Sequence, residues 1–174
     1  MRKKWLLASA AAALLASPAM AQESSTGTVS IDGTVAARCL FTTPSATISL
    51  GEMALGGSDT NAGTLDVSKV NAKNATLVGW CNSTAATVTV KANAITNVAA
   101  AATGFTNRVD YTATANANSV DATDDSTDAL AGAAANVNMF TGNVVVTLSN
   151  ASATGLLVAG TYNGSVDVVL APAT

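Results

Sequence analysis

Residues 74–91, NATLVGWCNSTAATVTVK, carry the strongest β signal in the first half of this 174-residue chain. Ala86, Val88 and Val90 alternate with Thr87, Thr89 and Lys91, the period of two expected of an antiparallel strand buried on one face. In the run before it, Leu77, Gly79 and Cys81 share one face, while Trp80 points the other way and needs cover from a loop or a neighbour. The stretch predicts two successive strands.

Outward from there the same pattern recurs. Arg108 to Ala115 places Val109 and Tyr111 on one face. Val144 to Leu148 is apolar enough for burial on both faces. From Gly160 to Leu170, Val166, Val168 and Leu170 face one side, and Ser165 and Asp167 the other. Asn163-Gly164 is also a two-residue hairpin signal, so a turn inside that last stretch stands beside one continuous strand. Towards the N-terminus, Ala46 to Leu50 is a short run with Ile48 and Leu50 aligned, and Thr64 to Val70 alternates weakly. The total is about seven or eight short strands punctuated by Gly, Asn and Asp, with no repeat period, which predicts an all-β antiparallel sandwich. Asn116 to Asp128 reads as a long polar loop.

At the start of the chain, Arg2, Lys3 and Lys4, the apolar run Trp5 to Leu15, and Ala19-Met20-Ala21 have the order of a secretory leader covering residues 1–21. Cleavage there is expected to leave a mature chain from Gln22, exported and without an integral span. It would remove three of the eight basic residues and none of the eleven acidic ones, taking the net charge from -3 to -6 (five basic against eleven acidic). An acidic chain of this kind excludes a nucleic-acid partner. Much of the apolar content is alanine, which fills volume but contributes little burial energy, so the core needs reinforcement. Two cysteines in an exported chain invite one disulfide, Cys39 to Cys81, with two reactive thiols as the alternative.

Behind the leader lies Gly27 to Cys39, GTVSIDGTVAARC. Val29, Ile31 and Val35 fall on one side of an extended chain, and Gly33 leaves a gap on that side. Pattern alone fits an ordinary first strand of a sandwich.

Signs of catalysis are few. The chain has no histidine, and it has no GxSxG elbow, no SxxK pair and no Gly-rich phosphate loop before a helix. Glu52 paired with an aspartate is the one carboxylate arrangement to weigh for sugar hydrolysis, and no aromatic-lined cleft accompanies it. No cofactor or metal is assigned, and the chain is not expected to be an enzyme. Asp121, Asp124, Asp125 and Asp128 lack the spacing, turn glycine and terminal glutamate of a helix-loop-helix calcium site, so a solvated acidic loop is expected there. Four Asn-x-Ser/Thr sites, at Asn74, Asn82, Asn150 and Asn163, matter only in a host that glycosylates them.

Taken together, GTVSIDGTVAARC at the mature start, ATLVGWC closing on the second cysteine, the following TVTV strand and the terminal AGTYNGSVDVVL resemble a bacterial chaperone-usher pilin. The similarity is nearest to the archaic type that includes the spore coat protein U group. It spreads over most of the mature chain, with the cysteine spacing and the pair Gly160 and Tyr162 as its most specific points. The resemblance implies an immunoglobulin-like sandwich of residues 35–174 lacking its last strand, preceded by a donor-strand extension, residues 22–34. Val29, Ile31, Gly33 and Val35 would be the donor positions, Val166, Val168 and Leu170 the acceptor groove, and Gly160 and Tyr162 the anchor of the terminal strand. The implied partners are other pilin subunits, a periplasmic chaperone and an outer-membrane usher. The implied location is a fimbrium at the cell surface reached through the periplasm, and the implied role is adhesion or biofilm formation. The chain departs from the family pattern at its end, Ala171-Pro172-Ala173-Thr174, where an aromatic residue is common. The competing reading is a secreted, self-complete β-sandwich that binds a surface or a glycan as a monomer.

Overall fold

The computed structural model describes residues 23–58 and 60–172. The expected leader, residues 1–21, lies outside them. Chain contacts divide between Thr34 and Val35. Residues 23–34 contain no strand, and Val29 and Ile31 are 85% and 92% exposed. The unit from Val35 onward is all-β and built of antiparallel sheets, as a β-sandwich requires. Among the described residues no helix is long and apolar enough to cross a membrane.

Ten strands follow in chain order: β1 (Cys39–Thr43), β2 (Asn74–Cys81), β3 (Thr87–Asn97), β4 (Phe105–Thr106), β5 (Arg108–Ala117), β6 (Val120–Asp125), β7 (Ala135–Asn136), β8 (Phe140–Ser152), β9 (Leu156–Leu157) and β10 (Tyr162–Ala171). The main path runs β1-β2-β8-β5-β3-β10, with β6 beside β5, β7 beside β3, and β4 and β9 forming a separate short parallel pair. β1 and β10 are therefore the two free ends of the path, each with a single ladder partner.

Alternation explains which face goes inward. Ala86, Val88, Val90 and Ala92 are fully buried, as are Val109, Ala113, Ala115, Ala117 and Val144. Ala113, Ala115 and Ala117 line the inner face of β5, so the core there is built of small side chains. The Cys39–Cys81 disulfide is present, joining directly opposed residues of β1 and β2 with their Cα atoms 4.2 Å apart. Cys81 is buried, on the same inward face as Gly79. β8 differs from its expected two-sided burial: Val144, Val146 and Leu148 are buried, but Val145 and Thr147 are partly exposed.

Three segments depart from the sequence reading. Asn116 to Asp128 is a hairpin, with Asn118 and Ser119 at φ 51° and 62° forming its turn. Asn and Ser have short polar side chains that tolerate this left-handed region, which a two-residue hairpin demands at both positions. Asp121, Thr123 and Asp125 face outward from β6, while Ala122, Asp124 and Ser126 are buried. Thr64 to Val70 is not a strand: Leu65 makes one isolated bridge to Ala54, and Val67–Lys69 forms a 3₁₀ turn capped by Asp66. The Asp66 carboxylate accepts from the Ser68 amide and hydroxyl, at 3.1 and 2.6 Å, which offers the backbone a local alternative to a ladder. Ala46 to Leu50 forms no strand and has no ladder partner, although Ile48 and Leu50 pack on the core.

The Asn163-Gly164 alternative resolves as one continuous strand. β10 runs through both residues with a register shift against β3 between Asn163 and Ser165. Gly164 is packed hard on β3 there, since a Cβ at that position would lie 2.9 Å from Ile95 Cγ1.

β5 and β3 pair only at their ends, through Ile95 with Val109 and Thr96 with Arg108, and then diverge. The opened flank of β3 would leave its main-chain groups unsatisfied, a cost that buried backbone rarely bears. Asp124 supplies one missing partner, its carboxylate accepting the Ala92 amide at 2.8 Å. Gly132 supplies another by donating its amide to the Val90 carbonyl at 3.0 Å. Lys91 closes the seam: its ammonium lies 3.4 Å from Asp124 Oδ2 and donates to the carbonyls of Asp128 and Leu130.

Candidate functional site

Between the two free ends of the sheet path runs a groove of about 1020 Å³ with mixed polar and apolar walls and an apolar floor. Its floor consists of Ala75 and Leu77 from β2, Ile95 from β3, Tyr111 from β5, and Val146 and Leu148 from β8. One wall is the segment 44–54, which presents Ile48 and Leu50; the other is β10, which presents Val166 and Val168. Both walls offer open backbone. β10 pairs only with β3, and among the described residues no main-chain hydrogen bond involves Pro44 to Gly51. Two stretches of backbone without main-chain partners on the groove side, β10 and residues 44–51, flank an apolar floor and match what one additional strand could satisfy.

The two ends of the groove differ. At the disulfide end Gly79 lets β1 and β10 draw together: a Cβ there would lie 3.0 Å from Leu170 Cδ1 and 3.1 Å from Phe41 Cδ1. Leu170 thus packs over Gly79 and is not part of the groove lining, whereas Val166 and Val168 are. At the opposite end the mouth is formed by Val158 to Tyr162. Gly160 has φ 140°, and a Cβ on it would sit 2.7 Å from Asn97 Nδ2, so only glycine fits there. Asn97 Nδ2 donates to the Val158 and Ala159 carbonyls at 3.3 and 3.2 Å, and Tyr162 Oη contacts the Thr106 and Val158 carbonyls at 3.2 and 3.0 Å. Gly160 and Tyr162 therefore both hold the mouth in place.

Tyr111 is the polar element of the floor. Its hydroxyl lies 2.8 Å from the Asn93 carbonyl and 2.9 Å from that of Ser165, spanning the register shift between β3 and β10. Burial pushes its pKa up to about 12, with Asp167 and Asp124 adding to the effect. Because the folded value lies above the ordinary 10, the neutral phenol's contribution is fully present below pH 10 and is lost as pH rises towards 12. Urea unfolding at pH about 9 and about 11 is expected to show a loss of stability that Tyr111→Phe lacks. At neutral pH that variant is expected to cost about 1 to 2 kcal/mol through loss of the single hydroxyl proton shared between the Asn93 and Ser165 carbonyls.

The donor positions do not lie in a strand. Val29, Ile31 and Val35 are exposed, and no neighbour lies within 4 Å of where a Gly33 Cβ would be. The chain becomes held just after them: Asn82 Nδ2 donates to the Ala36 carbonyl at 3.0 Å, and its Oδ1 accepts the Arg38 amide at 2.6 Å. Sequence reasoning treated Asn82 only as part of a sequon and missed this pin, because the 44-residue separation from Arg38 carries no periodic signal. It also missed Tyr111 as groove floor and 44–54 as groove wall. Among the described residues no group of three or more His, Cys, Asp or Glu side chains converges as a metal site would require. No family model, no curated protein and no solved structure matches the chain.

Proposed function

We propose that the chain is a structural subunit of a surface filament, an immunoglobulin-like domain that polymerises by receiving the N-terminal extension of another copy as its missing strand. The observation that carries the reading is the groove with an apolar floor, flanked by β10 and by residues 44–51, neither of which has a main-chain partner on the groove side. It belongs to a chain that also has an exposed segment of alternating apolar residues outside any strand. Each element lacks what the other supplies. The extension offers an extended backbone with Val29, Ile31 and Val35 on one side, and the groove offers main-chain partners and a floor for those side chains. Two or three buried branched residues contribute about 1.5 to 3 kcal/mol each, beyond the main-chain hydrogen bonds. Donor and acceptor are different surfaces, so the contact is head-to-tail and generates an open filament. Export past a chaperone and an usher, and a role in adhesion or biofilm formation, follow from the family resemblance and belong to the same proposal. No enzymatic role is proposed.

The test is deletion of residues 22–32 from the exported protein. Boiling-sensitive ladders on gels of surface extracts are expected to vanish, and a ladder surviving the deletion overturns the reading. The competing reading, a self-complete monomer, predicts mature protein that stays monomeric with a strongly protected Val29 amide.

A further inference from the structure

Exposed apolar residues lie at both ends of the groove-bearing unit. At the disulfide end Leu40 of β1 is directly opposed to Trp80 of β2, and Met139 immediately precedes Phe140, the partner of Cys81 in β8. Leu40 and Met139 are each more than half exposed. At the groove-mouth end Val98 is fully exposed and Phe105 nearly half exposed. They flank the loop that leaves Asn97, the residue bonded to the mouth carbonyls Val158 and Ala159. Exposed apolar residues gathered in one region call for a partner.

We infer that these two sets of residues are two halves of one contact between successive copies, Val98 and Phe105 of one packing on Leu40, Trp80 and Met139 of the next. The inference rests on the donor-strand reading and adds to it that the subunit bodies touch. The tether is one reason. Gly33 is a proposed donor position and Ala36 is pinned by Asn82, so at most ~10 Å of chain separates the seated strand from its own body. That is too short to hold two domains apart as beads on a string.

Strand direction is the other reason. Every pairing along the main path is antiparallel, and β10 runs from the mouth, where Tyr162 faces Asn97, towards the disulfide end, where Ala171 faces Thr87. A donor antiparallel to β10 therefore ends, at its body-proximal side, at the mouth. The donor's own body, entered at Ala36 and Arg38 beside Leu40, is brought to the neighbour's Val98 and Phe105. A parallel donor would instead bring the two disulfide ends together.

The experiment is limited hydrogen peroxide oxidation of polymerised mature protein and of monomer lacking residues 22–32, read residue by residue by mass spectrometry. Free methionine added to both samples serves as the reference for peroxide dose, because Met53 lines the groove that the donor fills. Met139 sulfoxide formation is expected to fall several-fold in the polymer, and to return to the monomer rate in polymer made from Val98→Asp, whose fully exposed position leaves the fold unchanged. An extension-dependent polymer that oxidises Met139 at the monomer rate overturns the contact while leaving the donor-strand reading intact. Protection that persists in Val98→Asp polymer overturns the assignment of Val98. A chain that forms no extension-dependent polymer overturns both.

Discussion

Reduction of the Cys39–Cys81 bridge is expected to lower the unfolding free energy of the unit beginning at Val35 by about 4 kcal/mol. That is the chain-entropy value for a loop closed over a sequence separation of 42 residues. Urea unfolding with and without reductant should show the midpoint fall by roughly 2 M, with thiol alkylation confirming that the bridge has opened. Unchanged midpoints in fully alkylated protein would refute the expectation. The loss should be uneven. β1 is a free end of the sheet path with β2 as its only ladder partner, so amide exchange should accelerate first across Cys39–Thr43. Because β1 leads directly into the groove wall 44–54, the reduced protein should also assemble poorly. An alanine-rich core supplies little apolar area per residue, and a covalent tie between its least-held strand and the sheet compensates for that.

The second large effect is expected at Asp124. Asp124→Ala removes the acceptor of the Ala92 amide and the carboxylate beside Lys91, leaving a buried donor and an unpaired cation at the seam where β3 and β5 diverge. Breaking a buried pair by removing one partner costs about 3 to 5 kcal/mol, and the partial exposure of Lys91 places this case near the lower figure. Asp124→Asn should cost less, because its side-chain carbonyl still accepts from Ala92. Thermal or urea unfolding of the two variants checks the order, and an Ala variant as stable as the Asn variant would contradict the role assigned to this hydrogen bond. Loss of the clamp should also release the segment carrying Gly132. That glycine sits so close to β6 that a Cβ would lie 2.0 Å from the Thr123 carbonyl oxygen.

Asp124 also illustrates why part of the structure was illegible in the sequence. Its stretch, VDATDDSTD, has a correct alternation, but the inward positions hold Ala122, Asp124 and Ser126 in place of large apolar residues. A period-two pattern is recognised by the contrast between apolar and polar residues, and here both faces are small or polar. The inward acid is tolerable only because Lys91 and the Ala92 amide, more than thirty residues away in sequence, meet it. Within the wall segment, Ala46 to Leu50 was read as a short strand for the converse reason. Ile48 and Leu50 alternate properly, yet a strand also needs a neighbour, and among the described residues none pairs with this stretch.

The sequence by itself determined the all-β class, the inward faces of β2, β3, β5 and β10, and the pairing of the only two cysteines. These follow from local alternation and from a count that permits one bridge. Only the tertiary structure decided that 116–128 is a hairpin, that β10 passes unbroken through Asn163-Gly164, that Tyr111 ties β10 to β3, and that Asn82 pins the chain at Ala36. It also decided that the two ends of the sheet path face each other across an open groove. Each of these depends on groups distant in sequence satisfying one another's hydrogen bonds or volume, and side-chain period along the chain carries no record of which distant partner arrives.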